Sequence, residues 1–349
     1  DLSPLYKCVV SGRDARKLMD RVVTRDIGRV AVGQVVYTPW CDEHGKVIDD
    51  GTVQRLAEDR FRLTAADPTL RWLRQNAFGM QVTVEDESEK VACLAVQGPT
   101  AARILRKVAE ADIDTLKYFR ITSGRLGGVP VEISRTGYTG DLGYEIWMPW
   151  SEAVKVWDAL MDGGRQFDLH AAGMLALDVA RIEAGLLLIE VDYTSSRRAV
   201  IEAQRFTPYE IGLGKLVSLE KESFIGRTAL VEEQRRGPKR QLVGLEIDWT
   251  DVEARFEEAG LAPQVPATAS RAAVPVYSGG AQVGRVTSST WSPTLKKMIA
   301  LATVGAGHAA IGHRLQMEMT VEAVRKKVSA TVVKLPFFSP PRKSATPPA

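Results

Sequence analysis

The stretch Ser134-Arg135-Thr136-Gly137-Tyr138-Thr139-Gly140-Asp141-Leu142-Gly143-Tyr144-Glu145 puts two tyrosines and a carboxylate on one glycine-rich turn. A carboxylate beside aromatic faces suits a planar heterocycle with adjacent N–H donors, because both of its oxygens can accept at once. Three glycines in seven positions let backbone approach something flat or bulky without Cβ interference. The same spacing also fits a plain hairpin whose glycines serve turn geometry alone. A second acidic feature, Asp49-Asp50, lies in the apolar run Val47–Val53. Adjacent strand residues point to opposite faces, so one acid faces inward and the other outward. An inward carboxylate with no Arg or Lys neighbour in sequence needs a ligand or partner group. Alternatively, one of the pair caps backbone N–H groups as an Asx-type turn.

The elements that must position these residues follow from periodicity. Val129, Val131 and Ile133 alternate before the turn and Ile146-Trp147-Met148 follow it, which predicts strand, turn, strand. Asp49-Asp50 sits in a predicted strand 47–56, paired through the turn 41–46 with a strand 30–40. A helix carrying Ala15, Leu18, Met19 and Val22, a strand 61–64 and a closing strand 81–85 complete an α+β module over residues 1–87. A second α+β module spans 88–236. It opens on the buried strand 92–97 and a helix bearing Ile104, Leu105 and Val108. Ser151 then caps a helix with Val154, Trp157, Leu160 and Met161 inward. A longer helix covers 171–188, and Arg181 within it can pair with Asp178 at i−3 or orient Glu145. Residues 193–206 are a polar insertion, and 215–219 read as a strand. After the linker Arg235–Lys239, six short strands between 240 and 336 imply a small closed barrel, which removes exposed edges. The proline-rich segment 337–349 reads as a disordered tail. No internal repeat is present.

Composition bounds the class. Of 349 residues, 45% are hydrophobic and 26% charged, ordinary for a globular protein. The net charge of +3, from 46 basic and 43 acidic residues, is too balanced to argue for nucleic acid or an anionic membrane. No apolar run reaches the ~20 residues that span a bilayer. Cys8, Cys41 and Cys93 are odd in number and widely spaced, which fits a reducing cytoplasm better than a disulfide framework. His44, His170, His308 and His313 form no metal-ligand spacing, so no metal site is expected. The start, Asp1–Leu5, lacks both a signal-peptide pattern and an initiating Met, and reads as a chain whose natural N-terminus lies upstream.

Taken together the landmarks resemble the aminomethyltransferase family: the T protein of the glycine cleavage system and its tetrahydrofolate-dependent demethylase relatives. The stretches that carry the resemblance are 45–50, 96–99, 134–145, 172–185, 207–214 and 287–294, in family order across residues 1–335. The resemblance implies a three-domain cloverleaf, two α+β domains plus the C-terminal barrel, with tetrahydrofolate in a central opening. It implies Asp50 as the catalytic carboxylate. Tyr37 and Tyr138 would line the folate, Glu145 would hold the pterin edge, and Arg181 would lie in the same neighbourhood. A pterin presents an N–H beside an amino group, which a glutamate accepts in the way it accepts a guanidinium. The implied partners are a small-molecule one-carbon donor and a lipoyl carrier protein.

Some positions depart from the glycine cleavage pattern. Leu177 stands where an Arg is usual, Leu186 where a Tyr is usual, and the insertion 193–206 with Arg197 and Arg198 is longer. Similar apolar replacements occur in the demethylase branch, so the alternative donor is a methylated amine, sulfonium or aryl methyl ether. Another alternative is a folate-binding protein of iron–sulfur assembly that transfers nothing. Its cysteine-bearing signature would fall at Thr207–Gly214, where this chain has no cysteine.

Overall fold

The computed structural model describes residues 1–347. They pack as two units. One takes Asp1–Ala171, Lys215–Val231 and the chain from Pro340; the other takes Ala172–Gly214 and Glu232–Ser339. The segment 88–236, expected as one module, is thus divided by its packing.

The first unit holds two antiparallel sheets. Strands β1 (Tyr6–Ser11), β2 (Val35–Cys41), β3 (Val47–Ala57), β4 (Arg60–Ala65) and β5 (Thr83–Asp86) run in the order β2-β3-β4-β1-β5. Alternation sends Cys8, Val10, Val53, Phe61 and Leu63 to one face. There they bury Leu18, Met19 and Val22 of helix α1 (Ala15–Val22) and Leu73 of α2 (Leu70–Asn76). Strands β6 (Val91–Gln97), β7 (Ala109–Glu110), β8 (Ile121–Leu126), β9 (Val129–Ser134) and β10 (Gly143–Pro149) form the second sheet, β6-β10-β9-β8-β7. Leu94, Val96, Val131, Ile133, Tyr144 and Ile146 meet helices α3 (Ala101–Val108) and α4 (Ala153–Gly164) in a separate core.

The faces turned away from these cores are polar, and they turn toward each other. Arg62 on β4 donates to Glu132 on β9 at 2.7 Å and lies 5.3 Å from the Trp147 ring on β10. At the sheet edges, Val35 N–H donates to the Phe119 carbonyl at 3.0 Å and Ile121 N–H to the Gly33 carbonyl at 2.9 Å. The charged and polar side chains of the two sheets therefore share one seam. A slot suited to a polar ligand needs such a seam, since a fully apolar one would close.

The second unit is built on the barrel. Strands β11 (Arg240–Ile247), β12 (Val274–Ser278), β13 (Ala281–Ser292), β14 (Lys297–Gly305), β15 (Arg314–Val321) and β16 (Val324–Val333) close in the order β11-β14-β13-β12-β15-β16. Its interior is small and branched: Val243, Leu245, Val276, Val286, Ala300, Ala302, Val328 and Ala330. Helix α5 (Met174–Glu183) packs Ile182 against Ile299 and Leu301 of β14.

Four expectations change. Helix 171–188 is shorter, because Gly185 at φ +65° ends it and Leu175 is exposed. In α4 the inward residues are Val156 and Leu160, while Val154 and Trp157 are exposed, and Ser151 makes no cap. The expected strand 215–219 is a turn of 3₁₀ helix, Gly214–Leu216, followed by a loop. Its backbone is held by single bonds to Thr24, with no ladder. The tail is placed through residue 347. The buried Arg135 guanidinium donates to the carbonyls of Arg342, Lys343 and Ala345, and Arg342 pairs with both oxygens of Asp141 at 2.6 Å. Residues 348–349 of that segment lie outside the described residues.

Candidate active site

Tyr37 and Asp50 are diagonal neighbours: Tyr37 pairs with Thr52, and Asp50 with Pro39. Both side chains rise on the seam side of their sheet. The Tyr37 hydroxyl donates to Asp50 Oδ2 at 2.5 Å. Loss of water, and then the Asp50 charge, push the Tyr37 hydroxyl well above the usual tyrosine range, so it remains a donor. Tyr138, on the glycine turn of the other sheet, is within electrostatic reach of Tyr37. The two predicted aromatics and the predicted acid thus come together from both sheets.

Asp49 points the other way. It is 1% exposed and pairs with no cation among the described residues; Oδ1 accepts from Asp50 N–H at 2.8 Å and Oδ2 from Asp67 N–H at 3.2 Å. The Asx-type role therefore falls to Asp49, and the seam-facing role to Asp50. Burial, then the adjacent Asp50 charge, push Asp49 up to about 8 against the pull of its two backbone bonds. A raised native pKa means the folded state holds a proton that the unfolded chain releases. The stability this contributes is present below the unfolded value near 3.8 and is lost as pH rises through about 8. Asp49→Asn cannot ionise, so its urea midpoint should rise relative to wild type between pH 5 and pH 8. An equal gap at both pH values would contradict this.

Glu145 on β10 is half-buried on the seam face. Its Oε2 accepts from the Thr136 hydroxyl at 2.6 Å and weakly from Ser134 Oγ at 3.5 Å. Ser134 is itself fixed by Trp147 Nε1 at 3.1 Å. Among the described residues nothing donates to Oε1, so that oxygen is open to N–H donors from a ligand. Burial pushes the Glu145 carboxyl up, and the two hydroxyls pull it back. Tyr118 is in the same neighbourhood, its hydroxyl pushed up to about 12 mainly by burial and also by Glu145. Sequence reasoning passed over this shell of Ser134, Thr136 and Trp147, although the first two lie inside the turn. Their signal is the period of two: Ser134 and Trp147 share the face of Glu145.

Arg181 has its own set of partners. In the second unit, 1% exposed, it donates to Asp178 at 2.8 Å, Asp192 at 2.5 Å, Ser288 at 2.8 Å and the Leu186 carbonyl at 3.4 Å. Four of its five N–H groups are consumed. The predicted pairing with Asp178 is present. The expected place beside the folate is not needed to account for this arginine. Among the described residues, no three His, Cys, Asp or Glu side chains gather as a metal cage. None of their helices is long and apolar enough to cross a membrane.

The seam of two facing sheets thus carries an acid–tyrosine pair on one side and an open glutamate on the other. The family model described as the GCVT N-terminal domain matches residues 1–221, and the glycine cleavage T-protein C-terminal barrel domain matches 259–339. An aminomethyltransferase of Halothermothrix orenii is 34% identical over 342 residues, covering 97% of this chain and 87% of that protein. A trimethylamine-oxide aldolase of Ruegeria pomeroyi is 36% identical over 353 residues, covering 97% of this chain; the chain spans 41% of that longer protein. Glycine cleavage system aminomethyltransferase T from Bartonella henselae has a similar solved structure, with TM-score 0.79 at 26% identity, covering 97% of this chain and 85% of that one. This chain belongs to the glycine cleavage T-protein (GCVT) family. It is a tetrahydrofolate-dependent one-carbon transferase.

Proposed function

We propose that the chain moves a one-carbon unit from a small-molecule donor to tetrahydrofolate held in the seam. The observation that carries this reading is the pairing of Tyr37–Asp50 on one sheet with the open Glu145 on the facing one. Bound tetrahydrofolate supplies a nucleophilic ring nitrogen that accepts the carbon. The Oε1 edge of Glu145 receives the pterin N–H groups, and Thr136 keeps that carboxylate oriented. Asp50, held by Tyr37, is the carboxylate that meets an amine proton or charge developing on the donor. The chain's further contribution is placement, bringing donor and acceptor to reacting distance.

Two donors fit the family. The aminomethyl reading uses a lipoyl carrier protein. The demethylase reading uses a small methylated amine. Leu177 and Leu186, apolar where the glycine cleavage pattern has Arg and Tyr, favour the second. The likeness to the aldolase is matched by the likeness to aminomethyltransferases. A donor panel followed by formation of methylene- or methyl-tetrahydrofolate decides between them: turnover only with lipoyl-bound aminomethyl groups removes the demethylase reading. The iron–sulfur alternative gains nothing from the cysteines, since Cys8, Cys41 and Cys93 are all buried. Cysteines that form no disulfide among the described residues fit a cytoplasmic enzyme.

Glu145→Ala tests the binding half of the proposal. A charge-assisted bond contributes ~1.5–3 kcal/mol, so the tetrahydrofolate Kd should rise about tenfold or more. Calorimetry on the folded variant that returns the wild-type Kd would remove Glu145 from the site.

A further inference from the structure

Gln97 ends β6 and lies under the turn that carries Tyr138 and leads into Glu145. Its Nε2 donates to the Thr136 carbonyl at 3.3 Å and to the Tyr144 carbonyl at 3.2 Å, and its Oε1 accepts from the Thr139 hydroxyl at 3.0 Å. Those partners sit on the entering leg, the leaving leg and the tip of the turn. One amide thus ties all three parts together. Next to it, Gly98 N–H donates to the Leu142 carbonyl at 2.8 Å, closing the strand onto the same turn.

The glycines of the turn are explained by this side chain. A Cβ on Gly137 would lie 2.0 Å from Gln97 Oε1, and one on Gly143 would lie 1.9 Å from it. Neither glycine has the left-handed φ that would itself demand the residue; only Gly140, at φ +75°, does. The atoms in the way belong to the far end of a flexible side chain. An alanine at either position would therefore displace Gln97 without forcing the backbone apart.

We propose that Gln97 is a positioning residue for folate: its amide sets the turn that presents Tyr138 and Glu145, and Gly137 and Gly143 exist to admit it. The inference rests on the folate reading above and adds the determinant of its geometry. It acts through Tyr138 and Glu145 and touches no reacting atom. Gln97→Ala should leave kcat at saturating folate close to wild type and raise the tetrahydrofolate Kd about tenfold, the loss expected when bound geometry is no longer preorganised.

The decisive measurement is a double-mutant cycle on Kd, using Gln97→Ala, Gly143→Ala and the pair. Gly143→Ala alone should weaken tetrahydrofolate about as much as Gln97→Ala. The pair should be no weaker than Gln97→Ala, because the methyl then enters space already vacated. Equal cost of Gly143→Ala in both backgrounds, or wild-type affinity in Gln97→Ala, overturns the proposal. Should Gly143→Ala not fold, Gly137→Ala runs the same cycle on the entering leg. Amide hydrogen exchange over 136–144 reads the lock with no ligand present. Both single variants should accelerate it about tenfold, and unchanged protection overturns the proposal whatever folate does. A wild-type protein that fails to bind tetrahydrofolate strikes the folate reading itself, and the exchange data then judge Gln97 alone.

Discussion

Asp50→Asn should lower single-turnover transfer to tetrahydrofolate by about 10²-fold or more while changing folate affinity little, the scale of a lost general base. The substitution keeps the shape of the side chain, and its carbonyl oxygen can still accept the Tyr37 hydroxyl that now lies 2.5 Å from Oδ2. What it removes is the charge, in a seam partly withdrawn from water, where electrostatic terms are strongest. The control is built into the strand. Asp49 faces the helix side and spends both oxygens on backbone N–H groups, so Asp49→Asn alters stability and leaves turnover near wild type. Single-turnover transfer at saturating folate, with an active donor, distinguishes the two. Should Asp49→Asn abolish transfer and Asp50→Asn retain it, the seam-facing acid has been misassigned. If neither matters, the chain binds folate without transferring to it.

Arg181→Leu should cost about 3–5 kcal/mol of stability, the usual consequence of removing one member of a buried ion pair. Asp178 keeps Arg271 at 2.7 Å, but Asp192, 0% exposed, loses its guanidinium and among the described residues retains hydroxyl and amide donors from Thr287, Ser288 and Leu188. The Thr287–Thr294 stretch has a structural role in the same unit: Ser292 and Thr294 donate to Glu183, two residues beyond Arg181. Urea unfolding gives the cost, and calorimetry on the folded variant separates it from a ligand role. Unchanged stability together with a tenfold weaker folate Kd would restore Arg181 to the cofactor.

Legibility in the sequence followed locality. The barrel strands could be read because a period of two survives in each short run, and closure needed only their number. Alternation also established that Asp49 and Asp50 part company. It could not say which turned to the seam, since a register shift between Trp40 and Cys41 intervenes before them. The glycine turn was recognised for a partly mistaken reason: two of its glycines make room for Gln97, a side chain from a strand 40 positions before Gly137. Arg181 showed the i−3 contact to Asp178 but not those to Asp192 and Ser288, which only the packing of the second unit supplies. The proline-rich end read as disordered because composition carries no record of Arg135, whose buried guanidinium needs the carbonyls that the tail provides.

That tail has a practical corollary. Arg342 grips Asp141, and Asp141 sits between Tyr138 and Glu145 on the turn. The segment around Arg342 is therefore moored to the turn that carries Tyr138 and leads into Glu145. A fluorophore coupled there would sense any rearrangement of the loop on ligand capture.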